Sequence, residues 1–141
     1  MGARFANKLR ELHPDRVMSL TVGGTGWPTA SPTLTSELIE HVDQQLRDRG
    51  FLDEEERAAL VAVRVSSLEI PANESELGQN KVPMLVIGGE QDRPERAQKL
   101  AEITSNAKFK MVPGDHGAVP QTPEFLEALL EFLGEYEPNR Q

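Results

Sequence analysis

The sequence predicts an α/β domain built on three parallel strands, and three observations carry that expectation. First, Val82–Gly88 is almost continuously apolar, the pattern of a strand buried on both faces of a parallel sheet. Second, helix-like patterns lie between all the strand-like segments. Strands joined through helices close by right-handed crossovers and run parallel. Third, the chemically versatile residues follow the strand patterns directly. In parallel sheets ligands bind beyond the C-terminal ends of the strands.

The elements follow in order. Residues 2–12 read as a helix with Phe5, Leu9 and Leu12 on one face and Gly2, Ala3 and Ala6 allowing close packing. His13-Pro14 ends it. Arg16–Val22 is the first strand, closed by Gly23, Gly24 and Gly26. Leu34, Leu38, Val42 and Leu46 recur every four residues and form a helix stopped by Gly50. Asp53 with Glu56 resembles a capping box opening a further helix to about Ser66. Residues 68–80 are polar and carry no periodic pattern. After the Val82–Gly88 strand, Pro94–Thr104 reads as a helix with proline in its first turn. Ala107–Val112 alternates apolar residues with Lys108 and Lys110, which suits a sheet edge. Thr122-Pro123 opens a last helix with Phe125, Leu126, Leu129, Leu130 and Leu133 as its apolar positions. Residues 1–26 and 81–141 are thus expected to form the sheet domain, and residues 27–80 a helical insert.

Composition narrows the function classes. The 141 residues are 38% hydrophobic and include 11 glycines, enough for one packed domain. A net charge of -8 repels phosphate backbones and anionic lipid, so neither nucleic acid nor membrane is an expected partner. There is no cysteine, hence no disulfide and no thiolate chemistry. No apolar run approaches the ~20 residues of a membrane span, and a cytoplasmic protein is expected. Three histidines without helical pairing or clustered carboxylates predict no metal site, and no cofactor is expected. Gly23-Gly24-Thr25-Gly26 is not a phosphate loop: it has neither the G-x-G-x-x-G spacing nor a Gly-Lys-Ser/Thr.

Two residues stand where chemistry would be done. Asp92 follows the second strand and His116 the third, so both would emerge at one edge of the sheet. A carboxylate there can hold one imidazole nitrogen and leave the other as a general base. Simpler roles exist for each. Asp92 could cap the helix that opens at Arg93-Pro94, and His116 could be a turn residue between Gly114 and Gly117. Asp115 is a rival acid, though adjacent side chains seldom face each other. His13 reads as a helix-end residue and His41 as a surface residue of the insert.

Gly89-Glu90-Gln91-Asp92, Pro113-Gly114-Asp115-His116 and the helix after them resemble the C-terminal part of the α/β-hydrolase family. That family carries its acid on a Gly-Glu-x-Asp-like segment and its base on a Pro-Gly-x-x-His-like turn, in that chain order. The front of the chain fits as well. Met1–Leu9 is similar to the helix after the family's nucleophile elbow, and His13-Pro14-Asp15-Arg16-Val17 resembles the segment that leads into the next strand. The resemblance implies a partial α/β-hydrolase fold with Asp92 and His116 as catalytic acid and base. It makes residues 27–80 the cap that selects a small-molecule substrate in the intact parent, and Met1 the donor of one backbone oxyanion-hole N–H. It implies a parent that is a serine hydrolase or esterase acting on an ester or similar acyl bond; members of the family also act on epoxides and haloalkanes. The nucleophile would fall just before Met1. No G-x-S-x-G occurs, and Ser19, Ser31, Ser36, Ser66, Ser67, Ser75 and Ser105 occupy no strand-to-helix elbow. The chain by itself is therefore expected to be inactive, and to self-associate through strand residues 17–22, where the family's sheet would continue. The alternative is a non-catalytic interaction module on a half-sheet, although 5% aromatic residues offer few binding anchors.

Overall fold

A computed structural model describes residues 2–27, 35–51, 53–67, 70 and 73–136. The chain divides into two compact units. One spans residues 30–71; the other joins residues 2–29 to 72–141 and contains the sheet.

The sheet unit is organised by its middle strand. β2 (Met84–Gly89) is buried at all six positions. It pairs in parallel with β1 (Leu20–Gly23) on one edge and with β3 (Ala107–Val112) on the other, in the order β1-β2-β3. Alternation along β2 splits the core into two layers. Met84 and Val86 pack with Leu20, Val22, Ala97 and Leu100 under α5 (Pro94–Ile103). Leu85 and Ile87 pack with Val112, Val119, Ala128 and Phe132 under α6 (Pro123–Glu135). α1 (Gly2–Leu12) packs Ala3 and Ala6 onto the first layer.

β1 is shorter than its apolar pattern suggested. Pro14–Arg16 forms a 3-10 turn, and the ladder begins only where Leu20 N–H donates to Pro83 O at 2.9 Å. Pro83 has no N–H to extend the pairing toward Met18. Lys108 and Lys110 lie on β3 at the sheet edge, and Lys108 meets Glu135 of α6 at 2.6 Å.

Residues 68–80, read as patternless, contain a further short helix, α4 (Glu74–Gly78). Asn73 caps it by accepting from Ser75 N–H at 2.9 Å, and Leu77 is fully buried in the sheet core. Within the stretch 27–80, Trp27 and Leu77 accordingly pack with the sheet. The described part of the other unit is a helix pair: α2 (Ser36–Asp48) and α3 (Glu54–Ser66), joined through Val42, Leu46, Val61 and Val65. Asp53 does cap α3, accepting from Glu56 N–H at 2.8 Å. Arg47 and buried Arg57 each donate to Asp43 at 2.7 Å, and these two bonds hold the Asp43 carboxyl below its usual range. Among the described residues no helix is long and apolar enough to cross a membrane.

One buried polar group ties the start of the sheet together. Asn80 Oδ1 accepts from Arg10 Nη1 at 2.6 Å and from Val82 N–H at 3.1 Å. Its Nδ2 donates to Val82 O and Ser105 O, both at 2.7 Å. All four hydrogen-bonding positions of the amide are used, linking α1, the approach to β2 and the approach to β3. Asn80→Ala should therefore cost about 2–4 kcal/mol in urea unfolding, because it orphans buried partners as well as deleting bonds. A loss under ~1 kcal/mol would show that this hub is dispensable.

Candidate active site

The parallel ladder continues past the strands as a clamp between two turns. Glu90 N–H donates to Val112 O at 3.0 Å, and Gln91 N–H donates to Gly114 O at 3.1 Å. The turn that carries Asp92 is thereby fastened to the turn that carries His116. Gly89 allows this approach: a Cβ there would lie 2.4 Å from Gly114 O.

Each turn then aims its side chain. Asp92 N–H donates to Gly89 O at 3.0 Å, closing a tight turn. The residue that caps α5 is Arg93, in the left-handed region at φ 52°, and not Asp92. The Asp92 carboxylate is turned to His116, with Oδ2 2.8 Å from Nδ1. Asp115 takes the other role. Its Oδ1 accepts from Gly117 N–H and Ala118 N–H, both at 2.9 Å, and these bonds hold its carboxyl below the usual aspartate range. So Asp115 braces the turn and Asp92 partners the histidine.

An ionised carboxylate can only accept. Nδ1 of a neutral His116 must then carry the proton, which leaves the lone pair on Nε2. The imidazole side chain is 71% exposed while Asp92 is 25% exposed, so the carboxylate is sheltered and the imidazole is presented. A cavity of about 250 Å³ adjoins the pair. It is lined by the apolar Val119, Pro120 and Phe125 and by Gly23 and Gly24 at the end of β1.

Sequence reasoning did not single out Gly24 as part of the site. It has φ 62°, and a Cβ there would fall 2.5 Å from Cε1 of His116. The imidazole occupies the space that glycine leaves empty. The only signal was position: a glycine run directly past a strand end. The other histidines lie elsewhere. His41 on α2 is exposed beside Gln45, and His13 closes α1 with its N–H on Leu9 O. Ser19 and Ser105 precede β1 and β3, at the strand ends remote from His116. Met1 and Ser31, named above for the oxyanion hole and among the serines, lie outside the described residues. Among the described residues no three His, Asp or Glu side chains are grouped to hold a metal ion.

No protein-family model matches the chain, and no curated protein does. Solved structures match it along nearly its whole length. A thermophilic esterase from Thermogutta terrifontis is similar at TM-score 0.72 and 19% identity, over 97% of this chain and 63% of its own. An alpha/beta hydrolase enzyme from the metagenome of lagoon sediments at Mar Chica, Morocco, is similar at TM-score 0.66 and 20% identity, over 95% and 57%. A meta-cleavage product hydrolase from Pseudomonas fluorescens is similar at TM-score 0.58 and 15% identity, over 94% and 61%. The chain thus spans about three-fifths of the length of these proteins. It has a partial α/β-hydrolase fold: three parallel strands with flanking helices.

The fit of Gly24 against the ring can be checked directly. Gly24→Ala should displace His116 from Asp92, and long-range ¹H–¹⁵N NMR should then report loss of the Nδ1-protonated tautomer. Gly50→Ala, at a positive φ with open space around it, should leave the imidazole signals unchanged. An unaltered tautomer in Gly24→Ala would show that the contact does not position the ring.

Proposed function

We propose that Asp92 and His116 are the acid and base of an α/β-hydrolase site that cleaves an ester or similar acyl bond of a small molecule. The observation that carries this reading is the 2.8 Å contact between His116 Nδ1 and Asp92 Oδ2, at the mouth of a cavity past the strand ends. Asp92 would fix the tautomer and stabilise the imidazolium as it forms. His116 Nε2 would take the proton of an attacking hydroxyl and return it to the leaving alkoxide. Water would then be activated by the same nitrogen to release the acyl group.

The nucleophile of such a site is a residue on a strand-to-helix elbow, and no G-x-S-x-G occurs in these 141 residues. We therefore assign the attacking group to a segment outside them. On this reading the 141 residues alone do not hydrolyse esters, because a base with no hydroxyl to deprotonate forms no covalent intermediate. Residues 27–80 would contribute the substrate-selecting cap.

The isolated chain should turn over p-nitrophenyl acetate no faster than buffer. Fused behind a half-domain that supplies an elbow serine, it should gain turnover. In that fusion Asp92→Asn should lower kcat by about 10⁴-fold, the cost of releasing the wrong tautomer. Turnover by the isolated chain that disappears in both Asp92→Asn and His116→Ala would place the nucleophile among its own serines. A fusion that binds substrate but stays inert would favour the non-catalytic interaction module.

A further inference from the structure

Two non-glycine residues among those described have a positive φ: Asn106 at 59° and Arg93 at 52°. Asn106 is of a type that visits the left-handed region, and its Nδ2 donates to Lys81 O at 2.9 Å. Arg93 is not of that type. It is exposed and its side chain makes no capping bond.

Two further preferences oppose the conformation of Arg93. It is the N-cap of α5, and a cap residue is ordinarily extended, with a side-chain oxygen on the first free N–H groups. The caps of α2, α3, α4 and α6 obey this rule. Thr35, Asp53, Asn73 and Thr122 are all extended, and each accepts from a backbone N–H. Arg93 also precedes Pro94, whose ring pushes the residue before it to extended backbone with ψ of about 120–160°. The ψ of Arg93 is 59°.

The exception stands at a joint between two fixed bodies. On one side Gln91 N–H is held by Gly114 O and Asp92 N–H by Gly89 O. On the other, the Pro94 ring fixes its own φ, and buried Ala97, Leu100 and Ala101 hold α5 to the sheet. From this arrangement we infer that Arg93 is a positioning residue for Asp92. Its left-handed backbone turns the chain into α5 within one residue and thereby keeps the Asp92 carboxylate on His116 Nδ1. In the extended conformation that the cap position and the proline both favour, the Asp92–Arg93 peptide would rotate. With both flanks anchored, the carboxylate is the group that must leave its partner. Strain of this kind persists only where the surroundings over-determine it, and the backbone clamp and the packed helix do so here. Arg93 acts through its backbone and not through its guanidinium.

The consequence for turnover rests on the hydrolase reading, but the positioning itself is tested without it. Long-range ¹H–¹⁵N NMR of the full chain reads the His116 tautomer, and urea unfolding reads stability. Arg93→Gly and Arg93→Asn allow the left-handed turn and should keep the Nδ1-protonated form. Arg93→Gly should also raise the folded-to-unfolded ratio roughly 2–5-fold, the relieved strain exceeding glycine's extra chain entropy. Arg93→Val puts a β-branched residue where φ must be positive; it should fold and lose the Nδ1-protonated form. In a fusion that supplies the nucleophile, Arg93→Val should lower kcat about as far as Asp92→Asn and leave KM unchanged. An inert wild-type fusion would count against the hydrolase reading and leave the tautomer result standing. A folded Arg93→Val that keeps the tautomer, or a glycine or asparagine variant that loses it, would overturn the inference. If Arg93→Val does not fold, an Arg93→Gly variant less stable than the wild type overturns it alone.

Discussion

The constraint on which everything else depends is that β2 is buried on both faces and paired on both edges. Six consecutive buried residues can form only where a hydrogen-bonded neighbour lies on each side and a helix layer lies above and below. Once β2 is so enclosed, the parallel direction of β1 and β3 follows from the helices that connect them. Every strand then ends at the same edge. The Glu90–Val112 and Gln91–Gly114 backbone bonds are the last rungs of that ladder, and they convert a folding constraint into a spacing between two turns. Asp92 and His116 meet because β2 and β3 are adjacent and parallel.

At the opposite end of the strands the chain needs fastening of another kind. Residues 79–83 run into β2 without secondary structure of their own, and buried main-chain groups there need partners. Asn80 supplies them from a single side chain, and Arg10 holds Asn80 in turn. The two ends of β2 are thus built differently. The start is a rigid side-chain hub with no chemistry. The far end is a set of backbone clamps that leave a carboxylate and an imidazole projecting. The division of labour between Asp92 and Asp115 belongs to the same design. One acid is spent on holding the turn through two backbone N–H groups, so the other is available to the histidine.

The sheet unit is also small for an α/β layer structure. Three strands bury a limited core, and a chain of this length leaves a large share of its surface exposed. Among the described residues the outer edge of β1 has no strand partner. The β3 side, by contrast, is closed off by lysines and by the Lys108–Glu135 pair.

The sequence alone determined the helix and strand identities wherever the periodicity was long. α1, α2, α3, α5, β3 and α6 follow from apolar spacing and from caps such as Asp53 and Thr122. It placed Asp92 and His116 past strand ends, because that depends only on local order. It favoured Asp92 over Asp115 as the partner of His116, since adjacent side chains seldom face each other. Only the structure shows what Asp115 does instead, which is to hold the Gly117 and Ala118 N–H groups. Nor could the sequence show that Leu77 is a core residue on a one-turn helix, that Asn80 is a hub, or that Gly24 makes room for an imidazole. Each of those roles is set by a neighbour tens of residues away in the chain, and a contact of that kind leaves no periodic trace in the sequence.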